Sequence, residues 1–178
     1  MKILALAAWA AVLNLVLASS VSIAAPKAQP TGFNGIAFGT SFAAAKKKLG
    51  AKAKADKSPS APIVNTLIQS DPPVALYGES FVVNYTFGTD DRLKVVYAFA
   101  TTPIGNFEVC RSHWSRITTG LKAQYGLPKD ETSDIQTKTQ FANSTYAFPN
   151  GTKIEALMMG CLIMLTYSAP GYTAKRYR

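Results

Sequence analysis

The chain has 178 residues, of which 48% are hydrophobic and only 16% are charged. This length and composition suit one compact domain with a sizeable core, and one histidine with two cysteines leaves too few ligands for a zinc site. The net charge of +9 at pH 7 predisposes the protein to bind anionic partners such as envelope polymers, lipid headgroups or nucleic acid, unless the charge serves solubility alone.

The N-terminus has the pattern of a secretory signal peptide. Lys2 is followed by an apolar run from Ile3 to Ala18, and Ser22 and Ala24 supply the two small residues before a cleavage site. The competing interpretation is an uncleaved membrane anchor, which needs ~20 apolar residues, more than this run contains. We therefore predict a signal peptide over residues 1–24 and a periplasmic or secreted mature protein. No later stretch is long and apolar enough to span a membrane.

The segment after the signal peptide carries one short helix between two irregular stretches. Residues 25–31 contain two prolines and no periodicity, which indicates a flexible lead-in. A helix is predicted over residues 42–49, because their apolar side chains recur on one face. The Thr40-Ser41 pair favours its start and Gly50 its end. Residues 51–62 are basic and contain two prolines, so they are predicted to form a flexible loop.

The strongest structural signal is an alternation of apolar and polar residues over 81–87 and again over 93–99. One face of each predicted strand carries large side chains, namely Phe81, Val83, Tyr85 and Phe87 in the first and Leu93, Val95, Tyr97 and Phe99 in the second. Opposite residues of an antiparallel pair share a face. Both sets therefore meet one core if Phe87 pairs with Leu93 or with Asp91, across a loop of five or three residues.

Two more strands and a long helix flank this hairpin. The strands are predicted at residues 63–68 and 74–77, and Gly78-Glu79 fits a two-residue turn into the hairpin. The helix is predicted over residues 107–125, where apolar residues recur at three- and four-residue steps before Gly126.

The last part of the chain reads as further antiparallel strands. A polar stretch at 129–138 is followed by strands at 139–148 and 152–157. These two strands flank Asn150-Gly151, the strongest sequence signal for a two-residue hairpin turn. A final strand is predicted at 161–167.

The two halves of this pattern, residues 32–100 and 101–168, run in the same order of helix, glycine, polar loop and antiparallel strands. We therefore predict an α+β fold in which two tandem helix-plus-antiparallel-meander units form one sheet covered by helices. This single domain spans residues 32–168, and residues 169–178 are predicted to form a disordered basic tail.

The two cysteines are predicted to link the second helix to the sheet. Cys110 lies on the apolar face of that helix, and Cys161 lies on the apolar face of the last predicted strand. Outside the reducing cytosol an even pair favours a disulfide over two free thiols. Closing a loop of ~50 residues stabilises a protein by about 4 kcal/mol in the chain-entropy model.

Catalytic residues are harder to find. His113 is the only histidine, with Glu108 and Arg111 nearby, and no catalytic motif surrounds any serine. A general base needs a nucleophile or an orienting carboxylate, so a solvated helix histidine is the simpler interpretation. We predict a non-catalytic protein without metal or cofactor. The alternative is a small secreted hydrolase with a non-motif active site involving His113.

A cluster of lysines covers the end of the first helix and the loop after it: Lys46, Lys47, Lys48, Lys52, Lys54 and Lys57. We call these six residues the lysine cluster. It contains neither arginine nor an aromatic residue, so specific nucleic-acid binding is not indicated. Two interpretations stay open, a solvated basic face and a docking patch for an anionic polymer.

Three short motifs carry a family resemblance: Gly35-Ile36-Ala37-Phe38-Gly39-Thr40-Ser41, the helix end Leu49-Gly50, and the later hairpin. They are similar to small exported proteobacterial envelope proteins of uncharacterised function. The arrangement also resembles BamE-like and β-lactamase-inhibitor-like domains, although no lipid-attachment cysteine is present. Such domains use helices and an antiparallel sheet as a binding scaffold. The resemblance implies a non-catalytic exported protein that binds a protein or an anionic envelope component.

Overall fold

The structure, a computed structural model, describes residues 28–56, 65–101, 107–134 and 141–172. The predicted signal peptide lies outside these residues, as do Lys57 and residues 173–178 of the predicted tail. No helix within the described ranges is long and apolar enough to cross a membrane.

The described ranges contain two α-helices, ten strands and one turn of 3₁₀ helix at Gly50–Lys52. The helices are α1 (Phe42–Leu49) and α2 (Phe107–Tyr125). The strands are β1 (Gly32–Phe33), β2 (Ile36–Ala37), β3 (Ala53–Asp56), β4 (Asn65–Leu76), β5 (Glu79–Phe87), β6 (Leu93–Ala100), β7 (Asp130–Asp134), β8 (Phe141–Ala147), β9 (Lys153–Met159) and β10 (Leu162–Ser168). Together these elements confirm the predicted mixture of helix and strand.

Eight of these strands form one antiparallel sheet in the order β3-β4-β5-β6-β10-β9-β8-β7. The strands β1 and β2 pair only with each other in a short hairpin. Along the chain, β3 to β6 follow α1, and β7 to β10 follow α2. The last strands of these two groups, β6 and β10, pair at the centre of the sheet.

Both helices pack on the same face of the sheet, which we call the covered face. Trp114 and Ile117 of α2 are buried in one cluster with Phe81 of β5. The ring of Phe42 in α1 contacts Phe87 of β5, with 5.3 Å between the ring centroids. Burying a side chain of this size stabilises the fold by about 1.5–3 kcal/mol. The opposite side of the sheet is called the open face.

Local signals define both ends of α1 as predicted. The hydroxyl of Ser41 accepts a hydrogen bond from the backbone N–H of Ala44 at 3.3 Å, which caps α1. Gly50 ends α1 with a φ of 59°, a conformation that costs glycine little. Gly120, inside α2, has a packing role, because a Cβ atom there would lie 2.2 Å from Cδ1 of Tyr77.

The central hairpin contains a β-bulge that the alternation did not predict. Phe87 pairs with Leu93 across a five-residue loop, as predicted, but Thr86 pairs with Val95 and leaves Lys94 as an extra residue. The backbone of Leu93 is held by Gly39 and Thr40, through hydrogen bonds of 3.0 and 2.9 Å.

The bulge changes the face of every later side chain in β6, because the period of a strand is two residues. Val96 and Ala98 therefore join the core cluster, whereas Tyr97 and Phe99 lie on the open face opposite Asn84 and Val82. Val95 is also on the open face, where it is fully buried but outside the core cluster. The prediction that Val95, Tyr97 and Phe99 meet the same core as Phe87 is wrong.

Two segments that were predicted as irregular are edge strands. Residues 53–56 of the predicted flexible loop form β3, and Asp130–Asp134 of the predicted polar stretch form β7. The strands predicted at 63–68 and 74–77 belong to one strand, β4, which has an irregularity between Gln69 and Val74. An edge strand pairs on one side only and is often polar, so its sequence lacks the alternation of an inner strand.

Both short turns differ from the predicted ones. Leu76 pairs with Glu79, so the turn before β5 is Tyr77-Gly78, with positive φ at both residues. Between β8 and β9, the N–H of Gly151 donates to the carbonyl of Phe148 at 2.8 Å, which makes a longer loop than Asn150-Gly151 alone.

The segments that flank the domain are in contact with it. The backbone N–H of Asn150 donates to the side-chain oxygen of Gln29 at 3.2 Å, within the predicted lead-in. At the start of the predicted tail, the N–H of Ala169 donates to the carbonyl of Lys94 at 2.8 Å.

The predicted disulfide is present and links α2 to the sheet. Cys110 is 1% exposed, and its Cα atom lies 5.3 Å from that of Cys161. Cys161 lies in the turn between β9 and β10, one residue before the strand in which it was predicted. The bond closes a loop with a sequence separation of 51 residues.

The double variant C110A/C161A is expected to have a free energy of unfolding about 4 kcal/mol lower than the oxidised wild type, because the open chain regains loop entropy. Urea unfolding of both proteins measures the difference. The wild type in the presence of a reductant is the control and should match the variant. Equal stability of the oxidised and reduced wild type would contradict this role of the disulfide.

Candidate binding face

The open face carries an unbroken row of apolar side chains across four neighbouring strands. Cross-strand pairs place them in the order Val82, Phe99, Met164 and Leu157. A second row, nearer to the turn between β9 and β10, consists of Leu162, Met159 and Phe141. We call these seven residues the apolar band.

The apolar band is accessible to solvent. Met159 is 57% exposed and Leu162 is 48% exposed, and the other five side chains are partly exposed. The solvent side of an antiparallel sheet ordinarily carries polar residues. Here the first row of the band is instead a continuous apolar strip, about 14 Å long at the usual strand spacing. Contiguous apolar surface on a folded domain is typical of protein-interaction sites.

A row of mostly polar residues borders the apolar band on one side. The adjacent row on the open face runs from β3 to β7 as Lys54, Ile68, Asn84, Tyr97, Thr166, Glu155, Thr145 and Asp130. Its two ends carry opposite charges, with Lys54 on one edge strand and Asp130 on the other. The ring of Tyr97 lies 6.4 Å from that of Phe99, at an interplanar angle of 27°. An apolar centre with a polar rim is the usual anatomy of a protein–protein interface.

On the covered face, one buried carboxylate connects the sheet to α2. Glu79, at the start of β5, is 7% exposed. Its Oε1 accepts a hydrogen bond from Nε of Arg116 at 2.6 Å, and its Oε2 lies 2.5 Å from Nδ1 of His113. The three residues hold α2 against the start of β5.

His113 is therefore not the solvated histidine that was predicted. Its side chain is 17% exposed, because the sheet supplies a partner from a distant part of the chain. In the described ranges, the hydrogen bonds of His113 are with Glu79 and Arg116, and the hydroxyl of Ser112 accepts from Arg116 at 2.7 Å. A hydrolytic histidine must also contact a nucleophile, which these contacts do not supply.

Four tyrosines form a polar layer between α2 and the sheet: Tyr77, Tyr125, Tyr146 and Tyr167. The hydroxyl of Tyr77 donates to Oε1 of Gln124 at 2.9 Å and lies 3.4 Å from that of Tyr167. Burial raises the pKa of Tyr167 well above its ordinary value. Burial also raises the pKa of Tyr146 to about 12, and the carboxylate of Glu131 acts in the same direction. Both phenols are therefore neutral at physiological pH.

The lysine cluster does not form one surface. Lys46 and Lys47 are exposed in the last turn of α1, beside the covered face, whereas Lys54 lies on the open face of β3. Nζ of Lys48 donates to the carbonyl of Gly35 at 2.5 Å. Lys52 is exposed after α1. Within the described part of the chain, none of these lysines forms an ion pair.

Among the described residues, no group of three or more His, Cys, Asp and Glu side chains is placed to hold a metal ion. A depression of about 210 Å³ lies along the β1–β2 hairpin, lined by residues 31–37. None of the predicted site residues lines it. Comparisons of the chain with protein-family models, with curated proteins and with solved structures gave no match.

The open face was not identified from the sequence. Tyr97 and Phe99 were assigned to the core, and only the bulge at Lys94 reverses that assignment. The available signal was the residue pattern of β9 and β10, which carry apolar side chains on the covered face and also on the open face, where Leu157 and Met164 lie. A strand that is apolar on both faces is either buried on both or part of a contact surface.

The variant E79Q is expected to lower the free energy of unfolding by about 1–3 kcal/mol, because Arg116 and His113 lose a buried charged acceptor. Urea unfolding at neutral pH measures the change. The matched control is R111Q on the same helix, which removes an exposed pair with Glu108 and should cost less than about 0.5 kcal/mol. Equal effects of the two variants would show that Glu79 does not hold α2.

The stability of the protein is expected to fall as the pH rises above about 10, where tyrosines of the unfolded chain ionise. Tyr146 and Tyr167 keep their protons in the folded state, so the unfolded state binds fewer protons and gains stability. Urea unfolding across this pH range measures the loss of stability, and phenolate absorbance measures the ionisation of the tyrosines. The variant Y146F should show a shallower decline. Full ionisation of all tyrosines in a protein that is still folded would contradict the burial of this layer.

Proposed function

We propose that the protein is a non-catalytic binding protein of the bacterial periplasm or cell envelope, and that it binds a protein molecule through the open face of its sheet. The observation that carries this proposal is the apolar band, whose seven partly exposed side chains lie together on one face. Both described helices pack on the other face.

The composition of the band supports protein binding. Aromatic residues and methionine are enriched at interface centres, and Phe99, Phe141, Met159 and Met164 supply them here. Covering one such side chain is favourable by about 1.5–3 kcal/mol. The disulfide and the Glu79 contacts hold α2 against the back of the sheet. A surface that is already ordered pays little conformational entropy on binding.

Export is part of the proposal. It rests on the predicted signal peptide at residues 1–24, and the Cys110–Cys161 disulfide is compatible with it. Disulfides persist in oxidising compartments such as the periplasm and are rare in the reducing cytosol.

We also propose that residues 32–100 and 101–168 are two tandem units that share one sheet. The strand order supports this reading, because each unit supplies one helix and then four sequential strands. The order is compatible with a relationship to BamE-like and β-lactamase-inhibitor-like domains, in which such a sheet is a binding scaffold.

An anionic envelope component is the second candidate for the partner. The observation in its favour is the group of exposed lysines at the end of α1, which form no ion pairs in the described ranges. Binding through these lysines would weaken strongly with added salt, whereas binding through the apolar band would not.

The alternative function is a small secreted hydrolase that uses His113. One observation favours it, the hydrogen bond between His113 and Glu79, which resembles the orienting contact of a catalytic histidine. A hydrolase of this kind would lose its activity towards an activated ester in the variant H113Q. The binding proposal expects no such activity in the wild type.

Capture of proteins from a bacterial envelope extract tests the proposed function. The variant F99E places a charge at the centre of the apolar band and is expected to reduce capture at least tenfold, the loss typical of a central interface residue. The matched control T119E adds the same charge at an exposed position of α2 and should capture as the wild type does.

Circular dichroism of F99E and T119E checks that both variants are folded. A triple variant, K46Q/K47Q/K48Q, is compared at low and moderate salt. If the triple variant loses capture and F99E keeps it, the result would favour an anionic envelope component as the partner and contradict binding through the apolar band. Recovery of no protein at low salt by a wild type that is also monomeric in solution would contradict the proposed function.

A further inference from the structure

We infer that the molecule bound to the open face is a second copy of this chain, so that two sheets pack face to face in a symmetric dimer. This inference rests on the proposed function, in which the open face binds protein, and it names the partner. The pattern of side chains on the open face carries the inference. Rotation about one two-fold axis places apolar side chains opposite apolar ones and positive charges opposite negative ones.

The strand order supplies that axis. β6 and β10 lie at the centre of the sheet, with three strands on either side. A two-fold axis parallel to the strands, midway between β6 and β10, places β6 opposite β10 of the second copy, β5 opposite β9, and β3 opposite β7. The rotation keeps the position along the strands, so each row of the open face meets the same row of the second copy in reverse order.

This rotation brings the first row of the apolar band onto itself. Phe99 lies opposite Met164 of the second copy, and Val82 lies opposite Leu157, because these four residues share one row. The symmetry repeats both contacts. Aligned packing of two twisted sheets is the usual arrangement of a β-sandwich, and a symmetric dimer buries the same patch of each copy.

The adjacent row brings opposite charges together. Lys54 on β3 lies opposite Asp130 on β7 of the second copy, and the symmetry repeats this pair at the other edge. Asn84 lies opposite Glu155, so its amide can donate to that carboxylate. An axis along this row, across the strands, would instead place each Lys54 against Lys54. Charge therefore selects the axis parallel to the strands.

The size of the open face suits a stable dimer. The row through Thr86, Val95 and Ser168 is already buried in the single chain, so the contact uses the apolar band and the polar row beside it. Three rows about 6.8 Å apart, across eight strands at about 4.8 Å spacing, cover roughly 700 Å². A specific interface of standard size buries about 800 Å² on each partner. The exposed part of the open face is therefore close to the size of a standard interface.

Sedimentation equilibrium of the oxidised mature protein tests the inference. We expect a dimer, and we expect F99E to raise its dissociation constant at least a hundredfold, because the symmetry places two copies of the substitution in the interface. The control T119E should dimerise as the wild type does. A monomeric wild type at about 100 μM, well above the Kd of a standard interface, would overturn the inference, as would a dimer that F99E leaves intact.

A charge exchange tests the axis itself. Either K54E or D130K is expected to raise the dissociation constant about three- to tenfold, and the double variant K54E/D130K should restore it. In one chain the two residues lie on opposite edges of the sheet, about 34 Å apart, far beyond the screening length. Restoration must therefore come from the second copy. If the double variant instead dimerises more weakly than either single variant, this arrangement is overturned.

The same proteins separate this inference from the proposed function. A monomeric wild type that still captures envelope proteins, and loses them in F99E, would overturn the dimer and leave the proposed function standing. A dimer that F99E dissociates would support both. Neither dimer nor capture would overturn both.

Discussion

The β-bulge at Lys94 is the constraint on which the two faces of the sheet depend. It is held in place because the backbone of Leu93 hydrogen-bonds to Gly39 and Thr40, just before α1. Without this extra residue, Tyr97 and Phe99 would turn towards the helices, and the apolar band would lose its centre. With it, the small side chains of β6 lie under the helices and the aromatic ones face outwards.

The contacts of α2 complete the separation of the faces. The disulfide fixes one end of this helix to the turn between β9 and β10, and Glu79 holds its first half against β5 through Arg116 and His113. Further along, Gly120 lets the ring of Tyr77 lie against the helix backbone. Each contact lies on the covered face. The helix therefore stabilises one side of the sheet and leaves the other available for a partner.

The parts of the fold that sequence could predict are those with local causes. α1 follows from the Ser41 cap and from Gly50, and the disulfide follows from an even cysteine pair on two apolar faces. The edge strands β3 and β7 were missed because they pair on one side only. The bulge and the Glu79–His113 contact were missed for another reason. Both depend on contacts between residues that are distant in the chain. The local sequence around one partner carries no information about the other.

Thiol labelling tests the central claim, the reversal of β6 by the bulge, most directly. Single cysteines are placed at neighbouring positions in F99C and A98C, with the native disulfide intact, and their rates of reaction with a maleimide are compared in the folded monomer. The structure predicts fast labelling at 99, on the open face, and protection at 98, which is fully buried under the helices. Protection at 99 with fast labelling at 98 would contradict the account.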